Sequence, residues 1–90
     1  MRRPKVQTGD RSPVFEPAPL VVVWQPDRER IVEAFRAGLA VDASSEAAGD
    51  AFLAVSYTNR GARMMAITYA SAAANANASA WGLLYEEVSR

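Results

Sequence analysis

Spacing of the apolar residues changes along this chain, and each change predicts a different element. Residues 20–24 (Leu-Val-Val-Val-Trp) are continuously apolar and rich in β-branched side chains, the pattern of a central strand buried on both faces. Gln25-Pro26 ends the run. Pro26 and Asp27 suit the start of a helix, where proline is tolerated and an acid meets the positive end of the dipole. Ile31, Val32, Phe35 and Leu39 then recur at helical spacing, with Glu29, Arg30, Glu33 and Arg36 on the wet side. An amphipathic helix over residues 27–40 follows. Residues 42–50 (DASSEAAGD) read as a polar connection with room for one helical turn capped by Ser44 or Ser45.

Residues 51–57 and 62–70 alternate with period two around Asn59-Arg60-Gly61, and Gly61 suits the left-handed position of a bulged three-residue hairpin. That loop sets Tyr57 opposite Arg63, Val55 opposite Met65 and Leu53 opposite Ile67. One face then carries Leu53, Val55, Tyr57, Met65, Ile67 and Tyr69; the other carries Phe52, Ala54, Ser56, Met64, Ala66 and Thr68. Residues 71–89 close the chain as a helix with a stripe of Trp81, Leu84, Tyr85 and Val88 that extends back through Ala78 and Ala74. Asn77 falls on this stripe and Leu83 points nearly opposite to it. The Asn/Ala/Ser alternation before residue 80 also fits a regular helix that begins only near Ser79. The predicted fold class is α+β with order β-α-β-β-α: a small antiparallel sheet with two helices on one face, a ferredoxin-like unit lacking its last strand.

Ahead of this domain (residues 20–90), residues 1–19 hold Pro4, Pro13, Pro17 and Pro19 with few strong apolars. Proline neither continues a helix nor donates to a ladder, so an extended arm that orders on a partner is expected. Arg2, Arg3, Lys5 and Arg11 against Asp10 give its first 11 residues a net charge of +3. The whole chain balances 10 basic against 10 acidic residues, so no global field draws it to nucleic acid or to an acidic membrane. Half of the 90 residues are hydrophobic, but 18 of these are alanine and only 19 are Leu, Ile, Val or Phe. A thin core of closely packed elements is expected, strengthened by a partner or by self-association. The arginine and alanine bias suggests a GC-rich bacterial or phage genome. No apolar run reaches the length of a signal-peptide core or a membrane span, which makes the cytoplasm the expected compartment.

Candidate chemistry is sparse. The chain has no histidine and no cysteine, which removes the commonest general base, the thiolate nucleophile and most transition-metal ligands. Glycines stand only at 9, 38, 49, 61 and 82, and no phosphate-cradling loop is written. Asp42, Glu46 and Asp50 lack the glycine and twelfth-position acid of a calcium loop, and the pairs Glu86-Glu87 and Glu29/Glu33 read as solvated charge. No catalytic residue, cofactor or metal site is therefore expected, and the chain is read as a non-enzyme. Contact with a larger protein or complex is the expected function, through Arg2, Arg3, Lys5, Arg11 and Phe15 of the arm and through Phe52, Met64 and Leu83 of the domain. By general analogy, such a module suits a phage or mobile-element inhibitor of the anti-defence type, or an assembly accessory protein. The alternative is single-stranded nucleic-acid binding by Tyr57, Arg60, Arg63 and Tyr69. It is disfavoured because Ala62 and Met64 stand where an RNA-recognition sheet would place stacking rings.

Overall fold

A computed structural model of the protein describes residues 23–90. Those residues form four helices: α1 (Arg28–Val41), α2 (Glu46–Asn59), α3 (Arg63–Ala76) and α4 (Ala78–Ser89). No strand occurs among them. The expected α+β order is thus corrected to a helical, bundle-like fold. The predicted hairpin is instead the helix pair α2–α3, and Val23 and Trp24 of the predicted first strand are irregular backbone. Residues 20–22 of that strand, and the arm over residues 1–19, lie outside the described residues.

Each helix end has a local cause. Asp27 caps α1, its carboxylate accepting the Arg30 N–H at 3.2 Å. Ser45 caps α2, its hydroxyl oxygen accepting the Ala48 N–H at 3.2 Å. At the far end of α2, Gly61 takes φ 75°, the left-handed conformation expected of it, but in a helix stop rather than a β-bulge. Its N–H donates to the Thr58 carbonyl at 3.0 Å and that of Ala62 donates to the Tyr57 carbonyl at 3.0 Å, the paired bonds of a Schellman motif. Between α3 and α4 there is one residue. Asn77 ends α3 and caps α4, its side-chain oxygen accepting the Ala80 N–H at 3.3 Å.

Why α2 and α3 are helical lies in their alanines. Ala47, Ala51 and Ala54, followed by the buried Thr58, repeat at spacings of four, three and four; Ala66, Ala70 and Ala73 do the same on α3. This is the heptad rhythm of a helix seam, built from the residue with the highest helix propensity. In the period-two reading Ala54 and Ala66 were merely the small partners of larger neighbours. Within the bundle the alanines are the interior: nine of the thirteen buried hydrophobic residues are alanine. Small side chains let the helix axes approach closely. Thr58, the polar member of the seam, is satisfied by donating its hydroxyl to the Ala54 carbonyl at 2.9 Å.

Sequential helices run in opposite directions. Phe35 of α1 meets Phe52 of α2, Tyr57 of α2 meets Tyr69 of α3, and α4 lies antiparallel to α1. The last arrangement follows from two pairs: Trp81 lies on Gly38 near one end, and Glu87 faces Arg30 near the other. Ile31, Trp81, Leu84 and Val88 are the large members of the buried interior and belong to α1 and α4. One half of the bundle is therefore an alanine seam. The other is organised around a single indole.

Candidate contact surfaces

Two polar nodes tie the helices together. At the first, Oδ2 of Asp42 accepts three hydrogen bonds: from Ser45 Oγ at 2.8 Å, from Trp81 Nε1 at 3.0 Å and from Asn77 Nδ2 at 3.2 Å. Hydrogen bonding from Ser45, then from Trp81, holds this carboxyl below its ordinary value; desolvation works against them and Asn77 adds a smaller lowering. One oxygen thus joins the α1–α2 connection to the α3–α4 junction. At the second node, Glu87 of α4 is buried. Arg90 donates to both of its oxygens at 3.2 Å, and Arg30 Nε lies 3.5 Å from Oε1. Glu87 is accordingly an internal anchor, and the reading of it as solvated charge is corrected. Among the described residues no group of three or more acids is gathered to hold a metal ion.

The predicted contact residues of the domain stand on three helices. Phe52 is 59% exposed and leans on Phe35 at a centroid distance of 6.5 Å. Met64, in the first turn of α3, is 73% exposed, and Leu83, midway along α4, is 52% exposed. Arg2, Arg3, Lys5, Arg11 and Phe15 lie outside the described residues. Three of the residues of the nucleic-acid alternative do come together. Tyr57 and Tyr69 stack at 5.6 Å with an interplanar angle of 7°, and the Arg60 guanidinium sits 5.3 Å from the Tyr57 ring centroid. Arg63 is exposed at the start of α3. Both tyrosines are half-buried and pack on the edge of the core.

Sequence reasoning missed Gly38, Asp42 and Glu87. Gly38 lies seven residues after Ile31, on the apolar stripe of α1, and a glycine there is the mark of a close neighbour. A Cβ on it would meet the Trp81 ring at 2.2 Å. Asn77 did stand out as a polar residue on an apolar stripe, and Asp42 is the partner it required.

An open groove of about 530 Å³ is lined by Arg28, Glu29, Val32, Glu33 and Arg36 of α1. No helix among the described residues is long and apolar enough to cross a membrane. Compared with protein families, curated proteins and solved structures, the chain matches none of them.

Proposed function

We propose that this protein is a non-catalytic contact module that binds a larger protein through exposed apolar side chains of its helices. The observation that carries the proposal is how much apolar bulk stays outside a thin core. Among the described residues only four large hydrophobics are fully buried (Ile31, Trp81, Leu84 and Val88), whereas eight are exposed: Val23, Val41, Phe52, Leu53, Met64, Met65, Leu83 and Tyr85. Seven more pack half-buried against the core. Single exposed apolars are ordinary, but eight large ones on so small a domain make a contact surface in waiting. Phe52, Met64 and Leu83 are the residues assigned to the partner, together with the basic residues of positions 1–19. An inhibitor or assembly accessory role fits such a module by analogy.

The test is affinity purification from the native host with the full chain and with Leu83→Asp. Leu83 is exposed, so the substitution is expected to leave the melting temperature nearly unchanged, within about 0.5 kcal/mol of stability. A partner retained at constant stoichiometry by the parent chain and lost by the variant supports the reading. Equal retention by both removes Leu83 from it. Deleting residues 1–19 tests the basic segment in the same way.

The stacked tyrosines favour a second reading, single-stranded nucleic-acid binding. However, Tyr57 and Tyr69 spend a face on one another, and Arg60 covers Tyr57, which leaves no open slot between rings for a base. Fluorescence anisotropy with single-stranded RNA and DNA across salt separates the two. A steep salt slope abolished by Tyr57→Ala and Arg60→Ala would establish the second reading.

A further inference from the structure

The outer face of α2 and α3 carries a second, self-complementary pattern. On α2 the buried stripe 47, 51, 54, 58 is shadowed one residue earlier by a second stripe of the same rhythm: Glu46, Asp50, Leu53, Tyr57 and, continuing it, Arg60. Tyr57 lies five residues beyond Phe52, about 140° around the helix, and so stands on the side turned away from α1. Leu53 is 37% exposed, and across the seam Met65 of α3 is 41% exposed beside the half-buried Tyr69. The face is apolar in the middle and charged at its ends, acidic at Glu46 and Asp50 and basic at Arg60 and Arg63. Neither Asp50 nor Arg60 forms an ion pair with another described residue.

The order along the stripe is acid, aliphatic, aromatic, base at positions 50, 53, 57 and 60, and it is symmetric about position 55. A twofold axis through that point brings Asp50 of one copy to Arg60 of the other, and Leu53 to Tyr57, twice over. That is the self-complementarity an isologous interface demands. From these positions we infer that the α2–α3 face pairs with a second copy of the chain, antiparallel, in that register. The face is about 21 Å long, because α2 has 14 residues. With helix axes about 9 Å apart and each helix about 10 Å across, it is about 19 Å wide and offers roughly 400 Å² per copy, half of a standard interface, so the dimer is weak and concentration-dependent. This inference draws on Leu53 and Met65 but on none of Phe52, Met64 and Leu83, so its failure leaves those three untouched.

Charge reversal tests it. Sedimentation equilibrium of the full chain from about 5 to about 500 µM is expected to show a monomer–dimer equilibrium; a monomer throughout overturns the proposal. Asp50→Arg and Arg60→Asp each set like charges opposite one another twice, and each is expected to raise the dissociation constant at least about tenfold. A mixture of the two variants is expected to form the heterodimer, because one copy then carries two bases and the other two acids. Dimers insensitive to both changes, or no heterodimer from the mixture, overturn the register.

A second experiment does not depend on how the reversed variants fold. The chain lacks cysteine, so Asp50→Cys and Arg60→Cys copies can be mixed and oxidised. Cross-links between positions 50 and 60 are expected. Each variant alone should yield few, since equivalent positions in the dimer stand about 15 Å apart along α2. Equal yields from the single variants and the mixture overturn the antiparallel pairing.

Discussion

Replacing Gly38 by alanine is expected to destabilise the protein, although helix propensity alone says the opposite. A glycine inside an exposed helix costs roughly 1 kcal/mol relative to alanine, so the substitution ought to help by about that amount. At position 38 the new Cβ would lie 2.2 Å from Cζ3, 2.4 Å from Cε3 and 2.7 Å from Cη2 of Trp81. Non-bonded carbons rest at about 3.5–4.0 Å, so the ring or the helix must move by more than 1 Å. Trp81 has nowhere easy to go. It is fully buried, rests on Phe35 at 5.8 Å and donates to Asp42 at 3.0 Å. If α1 and α4 slide apart, overpacking costs about 1–3 kcal/mol. If the indole is expelled, the loss approaches the roughly 3–5 kcal/mol of deleting a buried tryptophan. Subtracting the propensity gain leaves a net loss of about 2 kcal/mol, a fall in melting temperature of roughly 10 °C for a domain of this size. Urea and thermal unfolding followed by circular dichroism measure it. Gly49→Ala and Gly82→Ala are the controls, since neither Cβ would meet anything within 4 Å. A Gly38→Ala variant as stable as these controls would refute the close packing of α1 on α4.

The same structure sets three further expectations. Asp42 titrates below its ordinary value of 3.8 in the folded chain, so its contribution is complete above that value and drains away as pH falls through the lower folded value; urea midpoints between pH 2 and 5 are expected to show an acid limb that Asp42→Asn flattens. Glu87→Ala strands Arg30 and opens a buried anchor, and because both arginines are largely exposed the expected cost is about 1–2 kcal/mol rather than the full loss of a buried pair; a melt unchanged from the parent would show the anchor to be idle. Ala51→Leu forces a large side chain into the seam at a fully buried site and is expected to lose about 1–3 kcal/mol, whereas Ala72→Leu on the exposed side of α3 is expected to change little.

Helix α1 was legible from its sequence because its apolar residues are large and its cap is an aspartate. The start of α4 near residue 78 was legible only as an alternative, from the polar alternation before it; the single helix over residues 71–89 is broken at Asn77, and residues 71–76 belong to α3. What misled the reading was alanine. In Ala51-Phe-Leu-Ala-Val-Ser-Tyr57 the bulky residues alternate plausibly for a strand, and giving them the weight of the core makes a sheet. The burial shows the reverse, with Ala51 and Ala54 inside and Phe52 and Leu53 outside. Alanine carries little transfer free energy, so its periodicity is faint beside that of phenylalanine or leucine. The hairpin reading drew on Gly61 as well, and a left-handed glycine serves a helix stop as readily as a β-turn. The exposure of Phe52, Met64 and Leu83 was legible as apolar surplus. The clustering of Tyr57, Tyr69 and Arg60 was not legible for its true reason, since it depends on two helices meeting rather than two strands.

Asn77 has a consequence for which changes of length the chain tolerates. Its amide works from both ends, the oxygen accepting from the α4 backbone and the nitrogen donating to Asp42. Aspartate would keep the cap but set a carboxylate against a carboxylate, and serine would keep the cap but lose the reach. Because the same residue terminates α3 and starts α4, a single inserted residue there would rotate α4 by about 100° and swing Trp81 off Gly38. The three-residue connection between α2 and α3 sits at the opposite end of the bundle, remote from both Trp81 and Asp42. Inserted segments, new chain termini and reporter tags are therefore better accommodated at residues 60–62 than anywhere near residue 77.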